Sequence, residues 1–492
     1  MGLRAALFVL ASASGCAQIA GIEETSGPDE SARVHMTVER VSVGANLVRA
    51  PQDLTGQMAT YLVPDDAQGD GFVRLPADHT DLDQWSLLYP SGAPALMFTL
   101  PDHGGPRTRI WDLGARDMQG VFSVYEHLNP VPLAMDEPAA IDASITLPTP
   151  YVTGETFQFY AVGTWNRRAY AEVPLDGETT FDPAPFELAT TETLTGRPHE
   201  RITTADSVFL LRHQARVLTG VIEAAPFDLA ATQQITGTMS AVAADQMLTV
   251  TIDPASVPAR YQVLRPGPGA PGMAWNVVAA PGRDILAALG PELISAGIGE
   301  TDPGALMRAY GNPFAARGWQ PLFTFATSAT RAYVPTNQPG GATLSINLRS
   351  ELYARADPMA GGTVELAASF PELIDLAGTL LTTDGVSIAR PTRAVPVSFT
   401  TAAPGTLYAV ELLELVPNAA GTALVHKFVI SALSTTPSFL LPPELFEPGK
   451  NYTLRAVTYV GSYPNLATGD LATRSLPLSA AVHDSGAFTV MP

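Results

Sequence analysis

The sequence predicts a mostly β chain, built as tandem antiparallel β-sandwich domains with a few short helices. Three observations carry this expectation. Apolar and polar residues alternate at period two in many short stretches, the signature of half-buried strands. Turn formers bound these stretches, and the 492 residues include 41 glycines and 43 prolines. Apolar residues at helical spacing are few. Hydrophobic residues make up 46% of the chain, which supplies a core and excludes a disordered polypeptide.

The first element reads as an address label. Arg4 and the amino terminus precede Ala5 to Ala13, an apolar stretch of signal length that is too short to span a bilayer. Ala13-Ser14-Gly15-Cys16 resembles the lipobox of bacterial lipoproteins, with Ala13 where that family usually has leucine. The resemblance implies removal of residues 1–15 as a signal peptide, then acylation of Cys16 on its sulfur and new amino terminus. Ala17 at the second mature position is not the retaining aspartate of inner-membrane lipoproteins, which favours the outer membrane. The alternative is a plain secretory signal, with Cys16 incidental and the protein secreted. N-myristoylation is excluded because residue 6 is alanine. Residues 16–32 are acidic, small and turn-rich, and read as a flexible tether.

Beyond the tether the period is two. Val34, Met36 and Val38 alternate with polar residues, followed by Val41 and Val43; Phe157, Phe159, Ala161 and Gly163 form the next clear set. Leu248, Val250 and Ile252 alternate before Asp253-Pro254, and Leu344, Ile346 and Leu348 before Leu352. Asp384-Gly385, between short apolar segments of 380–388, predicts a hairpin. Helical spacing is confined to 283–296, broken by Gly290-Pro291, and to 302–310, where Asp302 is an N-cap candidate before Pro303. Proline-rich breaks at 130–138 and 264–272 divide the chain into a small β-domain at 33–130, a sandwich at 139–265 and a β-rich domain with helical insertions at 273–394.

Residues 395–492 form the last unit. Tyr408, Val410 and Leu412 alternate, then His426, Phe428 and Ile430; Ser438 to Leu441 leads into Pro442. Leu445, Gly449 and Tyr452 then precede an apolar strand. This spacing resembles the tyrosine corner of fibronectin type III and related Ig-like sandwiches. The resemblance covers about 100 residues and implies that the Tyr452 hydroxyl bonds back to nearby backbone. All five tryptophans lie earlier in the chain, so Phe399 or Tyr408 is expected to fill the volume that tryptophan takes in that family.

Charge narrows the function. Twenty-eight basic against 48 acidic residues leave a net charge of −20, and no basic run offsets it, which excludes nucleic acid as a partner. Only two lysines occur, Lys427 and Lys450. The single cysteine excludes an internal disulfide and a thiolate zinc site. The eight histidines make no HExxH, HxH or HxxxH spacing, and there is no GxSxG elbow, SxxK pair or P-loop.

Three stretches carry weaker chemistry. Asp65, Asp66 and Asp70 before Gly71, with Asp78, His79, Asp81 and Asp83 beyond, offer hard oxygen ligands, but not at EF-hand spacing. A solvated acidic loop is the plainer reading. Asp102 and His103 beside Arg107, Arg109 and Asp112 suit an acid–base pair or, more simply, a charged hairpin tip at Gly104-Gly105-Pro106. Trp165 with Arg167 and Arg168, between Tyr160 and Tyr170, suits stacking on a sugar or anchoring a partner; the plainer reading is a core aromatic cluster with an Asn166-Arg167 turn. Tyr459, Tyr463 and Asn465 fall where a sandwich-end loop is expected to run.

The expected function is a cell-envelope lipoprotein with a binding, adhesion or structural role, held to the membrane by lipid and engaging a protein or glycan. No cofactor is expected. The alternative is a secreted or envelope-bound hydrolase, directed at glycans, with the last sandwich as an accessory module. An outer-membrane β-barrel is disfavoured by the proline content.

Overall fold

The computed structural model describes residues 29–43, 47–55, 57, 59–64, 71–76, 78–81, 84–89, 95–100, 107–112, 119–127, 140–162, 166–187, 201–229, 232–252, 256–264, 272–281, 290–298, 305–333, 344–346, 348–358, 364–418, 421, 423–468, 470–471 and 473–491. These are mostly strands in antiparallel sheets, with one α-helix, Ser256–Leu264, among the described residues. No helix among them is long and apolar enough to cross a membrane.

The three largest hydrophobic cores among the described residues organise the fold. In the first, Ile141, Ala143 and Ile145 of strand Ala140–Thr146 face Phe157, Phe159 and Leu210 of a second sheet. Phe157 and Phe181 stack across this gap at 4.0 Å. Strand Val208–Gln214 is buried on both faces: Val208 and Leu210 enter the first core, Phe209 and Leu211 the second. A strand so placed is apolar throughout rather than alternating. Its one internal charge, Arg212, pairs with buried Glu155 at 2.5 Å and donates to the carbonyls of Thr149 and Pro150.

The second core gathers Trp275, Phe323 and Phe325 with Leu248, Val250 and Tyr310 from the two-stranded ribbon Gln246–Thr251 and Ala305–Tyr310. The helix seals one side, and its Tyr261 hydroxyl donates to the carbonyls of Thr327 and Ser350. The third core is a sandwich. Strands Pro371–Leu376, Val395–Thr401 and Ser438–Leu441 form one sheet. Facing it, Ala423–Ser434, Leu407–Pro417, Asn451–Ser462 and Ser475–Asp484 lie in that order. Phe399 and Tyr408 meet edge-on between the layers, at 5.9 Å. Tyr452 is buried, and its hydroxyl accepts the Glu447 N–H at 3.1 Å.

The units are joined through their sheets. Strand Ser475–Asp484 pairs on its far side with Leu348–Ala356, from Ser350 opposite His483 to Arg355 opposite Leu478. Antiparallel pairing then continues through Gln320–Tyr333 and Gly272–Ala280 to Glu292–Ile298. At the other edge, Arg107–Asp112 lies parallel to Ala423–Ser434.

Several sequence expectations change. Residues 292–298 and 305–310 are strands, not helix; 282–289 and 301–304 lie outside the described residues. The adjacent pair Leu293 and Ile294 mimics helical spacing but is buried against the Trp275 strand, and pairing overrides local pattern. Gly290 is required there, because a Cβ would lie 1.6 Å from the Ala279 carbonyl oxygen. The helix itself falls within the stretch expected to be sandwich. Asp384-Gly385 does turn, with Gly385 at φ +83, but no hairpin forms. Thr379–Leu380 pairs with Pro371–Leu376, whereas Val386–Ala389 runs parallel to Phe488–Met491. The first strand, Asp29–Val43, begins inside the expected tether. The boundary at 394/395 cuts the third core, since Ile374, Leu376 and Leu381 pack with Val395 and Val397. Residues 33–130 are not self-contained either. Leu62, Phe72 and Ile110 belong to the third core, where their strands find apolar cover.

Two stability tests follow. Ala215 and Arg216, at φ 47 and 66, form the tight turn between Val208–Gln214 and Val217–Glu223. Left-handed backbone penalises residues bearing a Cβ. Replacing Ala215-Arg216 by Asn-Gly is therefore expected to stabilise the protein by about 1 kcal/mol in urea unfolding. Tyr452→Phe removes the acceptor for the Glu447 N–H. It is expected to destabilise by about 1–2 kcal/mol in the same assay.

Candidate binding site

The structure separates the sequence candidates. Cys16, Asp65, Asp66, Asp70 and Trp165 lie outside the described residues. So do Asp102 and His103, but strands Ala95–Leu100 and Arg107–Asp112 pair antiparallel up to Leu100 opposite Arg107.

Asn166 and Arg167 begin strand Asn166–Ala169 rather than forming a turn, with Arg167 opposite Tyr160 and Arg168 opposite Phe159. The flanking tyrosines are core residues. Tyr160 enters the second core and Tyr170 the first. Tyr170 packs edge-on against Phe181 and Phe186, at 5.1 and 4.8 Å. Burial, aided by Asp142, raises its phenol pKa above the ordinary range. Arg168 is the exposed member. Its guanidinium lies 4.9 Å above the Phe186 ring and donates to the Glu187 carbonyl. With Tyr170, Glu172 and Pro185 it borders a hollow of about 190 Å³. Glu172 is committed there to the Ala184 N–H at 2.9 Å. The hollow thus offers one guanidinium, itself anchored, beside a partly buried aromatic ring.

The sandwich-end loop after Asn451–Ser462 is internally braced. Buried Asp470 accepts from Thr473 N–H and from the Asn465 amide, at 3.0 and 3.2 Å. Tyr463 is buried, and the Arg474 guanidinium stacks 4.6 Å over the Tyr459 ring. The three residues singled out in sequence hold this loop in place.

Sequence reasoning missed a polar cluster at the joint of the second and third cores. Asp484 is fully buried. It accepts from Arg455 Nε at 2.8 Å, from Arg455 Nη2 at 3.2 Å and from the Arg349 N–H at 2.9 Å. Arg455 also reaches Glu411 at 3.6 Å and His426 Nδ1 at 3.4 Å. Burial lowers the His426 pKa to about 4; Asp484 opposes this, and Arg455 and Arg349 reinforce it. These residues come from five strands, so no local motif marks them. Beside them Ser350 Oγ lies 2.8 Å from His483 Nδ1, the contact of a nucleophile with its base. Ser350 is fully buried, so the pair is sealed from any substrate. No group of three His, Cys, Asp or Glu poised for a metal occurs among the described residues.

Comparison with known proteins adds little. No protein-family model matches the chain. No curated protein matches it. Among solved structures it aligns with Escherichia coli alpha-2-macroglobulin activated by porcine elastase, at 9% identity, over 93% of this chain and 43% of that one, with a TM-score of 0.14. Salmonella alpha-2-macroglobulin reacted with methylamine aligns at 10% identity over 87% and 28%, with a TM-score of 0.11. The chain spans less than half the length of either, and scores this low carry no argument.

The His426 site sets a pH test. The unfolded imidazole takes its proton near pH 6.5 and the folded one near 4, so between these values the unfolded state holds more protons. Stability is therefore lost as pH falls through that window, by an upper bound of about 3 kcal/mol. His426→Gln is expected to flatten the urea-midpoint profile between pH 6.5 and 4, and an unchanged profile refutes the assignment.

Proposed function

We propose that this chain is a bacterial cell-envelope lipoprotein, tethered to the outer membrane through acylated Cys16, with a non-catalytic binding, adhesion or structural role. The observation that carries the reading is the placement of the sole cysteine directly after Ala13-Ser14-Gly15, behind a short apolar stretch. Multi-chain acylation holds a protein on a membrane, whereas a single chain binds only marginally. The net charge of −20 argues against nucleic acid and leaves a protein or glycan partner open.

Architecture supports the binding or structural part. A four-stranded sheet packs on four neighbouring strands of the larger sheet in the last unit, and the Tyr452 hydroxyl bonds to backbone five residues upstream. Both features favour a fibronectin type III-like module. Edge strands of that module pair with the rest of the chain on both sides, which suits a rigid spacer carrying binding loops.

Metabolic labelling with radioactive palmitate tests the anchor. The wild-type chain is expected to carry label and sediment with membranes, and Cys16→Ala to lose both. A Cys16→Ala protein that keeps its label and stays with the membrane refutes the proposal.

A further inference from the structure

We infer a second site that the sequence did not mark: an oxyanion-binding groove at the seam where the N-terminal strands meet the last sandwich. It has a volume of about 510 Å³ and is lined by Arg74, Arg390, Pro391, Thr392, Pro443 and Glu444. Three remote segments build it. Arg74 comes from strand Phe72–Pro76, residues 390–392 follow strand Val386–Ala389, and Pro443-Glu444 open a short turn after Ser438–Leu441.

The seam is close-packed and therefore fixed. Gly71, at φ +81, lies so near residue 394 that a Cβ would stand 3.0 Å from the Ala394 Cβ and N. Phe72 is buried in the third core beside Val395 and Val397. Pro391 and Pro443 add walls of restricted φ that carry no N–H.

The chemistry of the lining selects an anion. Two arginines and a threonine line it, and guanidinium forks match carboxylate and phosphate oxygens two at a time. The groove holds its own stand-in: the Glu444 carboxylate accepts from Arg74 Nη2 at 2.9 Å. That pair is well exposed, with side chains 35% and 53% accessible, so it is weak and open to exchange. An incoming carboxylate or phosphate takes the place of Glu444 on Arg74 and adds Arg390 and Thr392. The assignment stands independently of how the chain is anchored.

Titration calorimetry of the full chain against inorganic phosphate and against galacturonate, at low ionic strength, tests it. Saturable binding of either probe is expected, and the probe that binds tells a phosphate source from a sugar-acid source. Arg390→Gln is expected to weaken binding about tenfold. Glu444→Gln removes the competing carboxylate and is expected to tighten it several-fold, whereas a merely structural ion pair would leave it unchanged or weaker. All three side chains are surface groups, and circular dichroism checks that each variant folds; Arg74→Gln serves as a second loss-of-binding variant. Absence of saturable binding to both probes, indifference to Arg390→Gln, or no gain with Glu444→Gln overturns the inference.

Discussion

The buried carboxylate of Asp484 is the constraint on which the joint between units depends. A charge taken out of water must be matched by donors with good geometry, or it destabilises the fold that encloses it. Its donors come from two units: Arg455 from the last sandwich, the Arg349 N–H from the strand of the preceding core. Neither unit satisfies Asp484 alone. The ladder between Ser475–Asp484 and Leu348–Ala356 therefore carries electrostatic as well as backbone complementarity, which fixes its register. Shifting that ladder by one residue would turn Leu352 and Ala481 out of the second core and strip the carboxylate of a donor.

The same logic recurs within the first unit. Strand Val208–Gln214 is shared by two cores, so its backbone is shielded on both faces. Arg212 on that strand is tolerated because Glu155 and two carbonyls surround it. Buried pairs of this kind add little net stability over apolar residues, but they penalise any arrangement that separates the partners. They specify which sheets face each other, something an apolar core leaves looser.

Sequence made the class of the fold legible, and its strands where one face is wet. Leu248 and Val250 alternate with exposed Met247, Thr249 and Thr251, because one face of that strand is buried and the other is in water. The Tyr452 contact was legible because it is local: acceptor and donor are five residues apart. Glu292–Ile298 was misread because a bulge opposite Val277-Val278 leaves Leu293 unpaired beside Ile294 and both enter the second core, which breaks the alternation. Contacts across the expected domain limits were illegible because their partners lie far apart in the chain. Thr108 pairs with Ile430 and Ser350 with His483, and no composition shift records such contacts. The candidate sites divide likewise. Arg168 stood in a recognisable aromatic context, whereas Arg74 and Glu444 are 370 residues apart and share no pattern.

The charge of the chain bears on how an anion could be held at all. Most described cations here are committed internally. Arg212 serves Glu155, Arg455 serves Asp484, Arg317 serves Glu223, and both lysines lean on the single carboxylate of Glu414. A net −20 repels anions at long range, but at physiological ionic strength charges more than about 8 Å apart are largely screened. Affinity is then decided by the nearest groups. A groove lined by Arg74 and Arg390 against one exposed glutamate is locally basic on an acidic protein. The net negative charge keeps polyanions such as nucleic acid away, while a small oxyanion that enters the groove competes with one exposed carboxylate, Glu444, for the arginines.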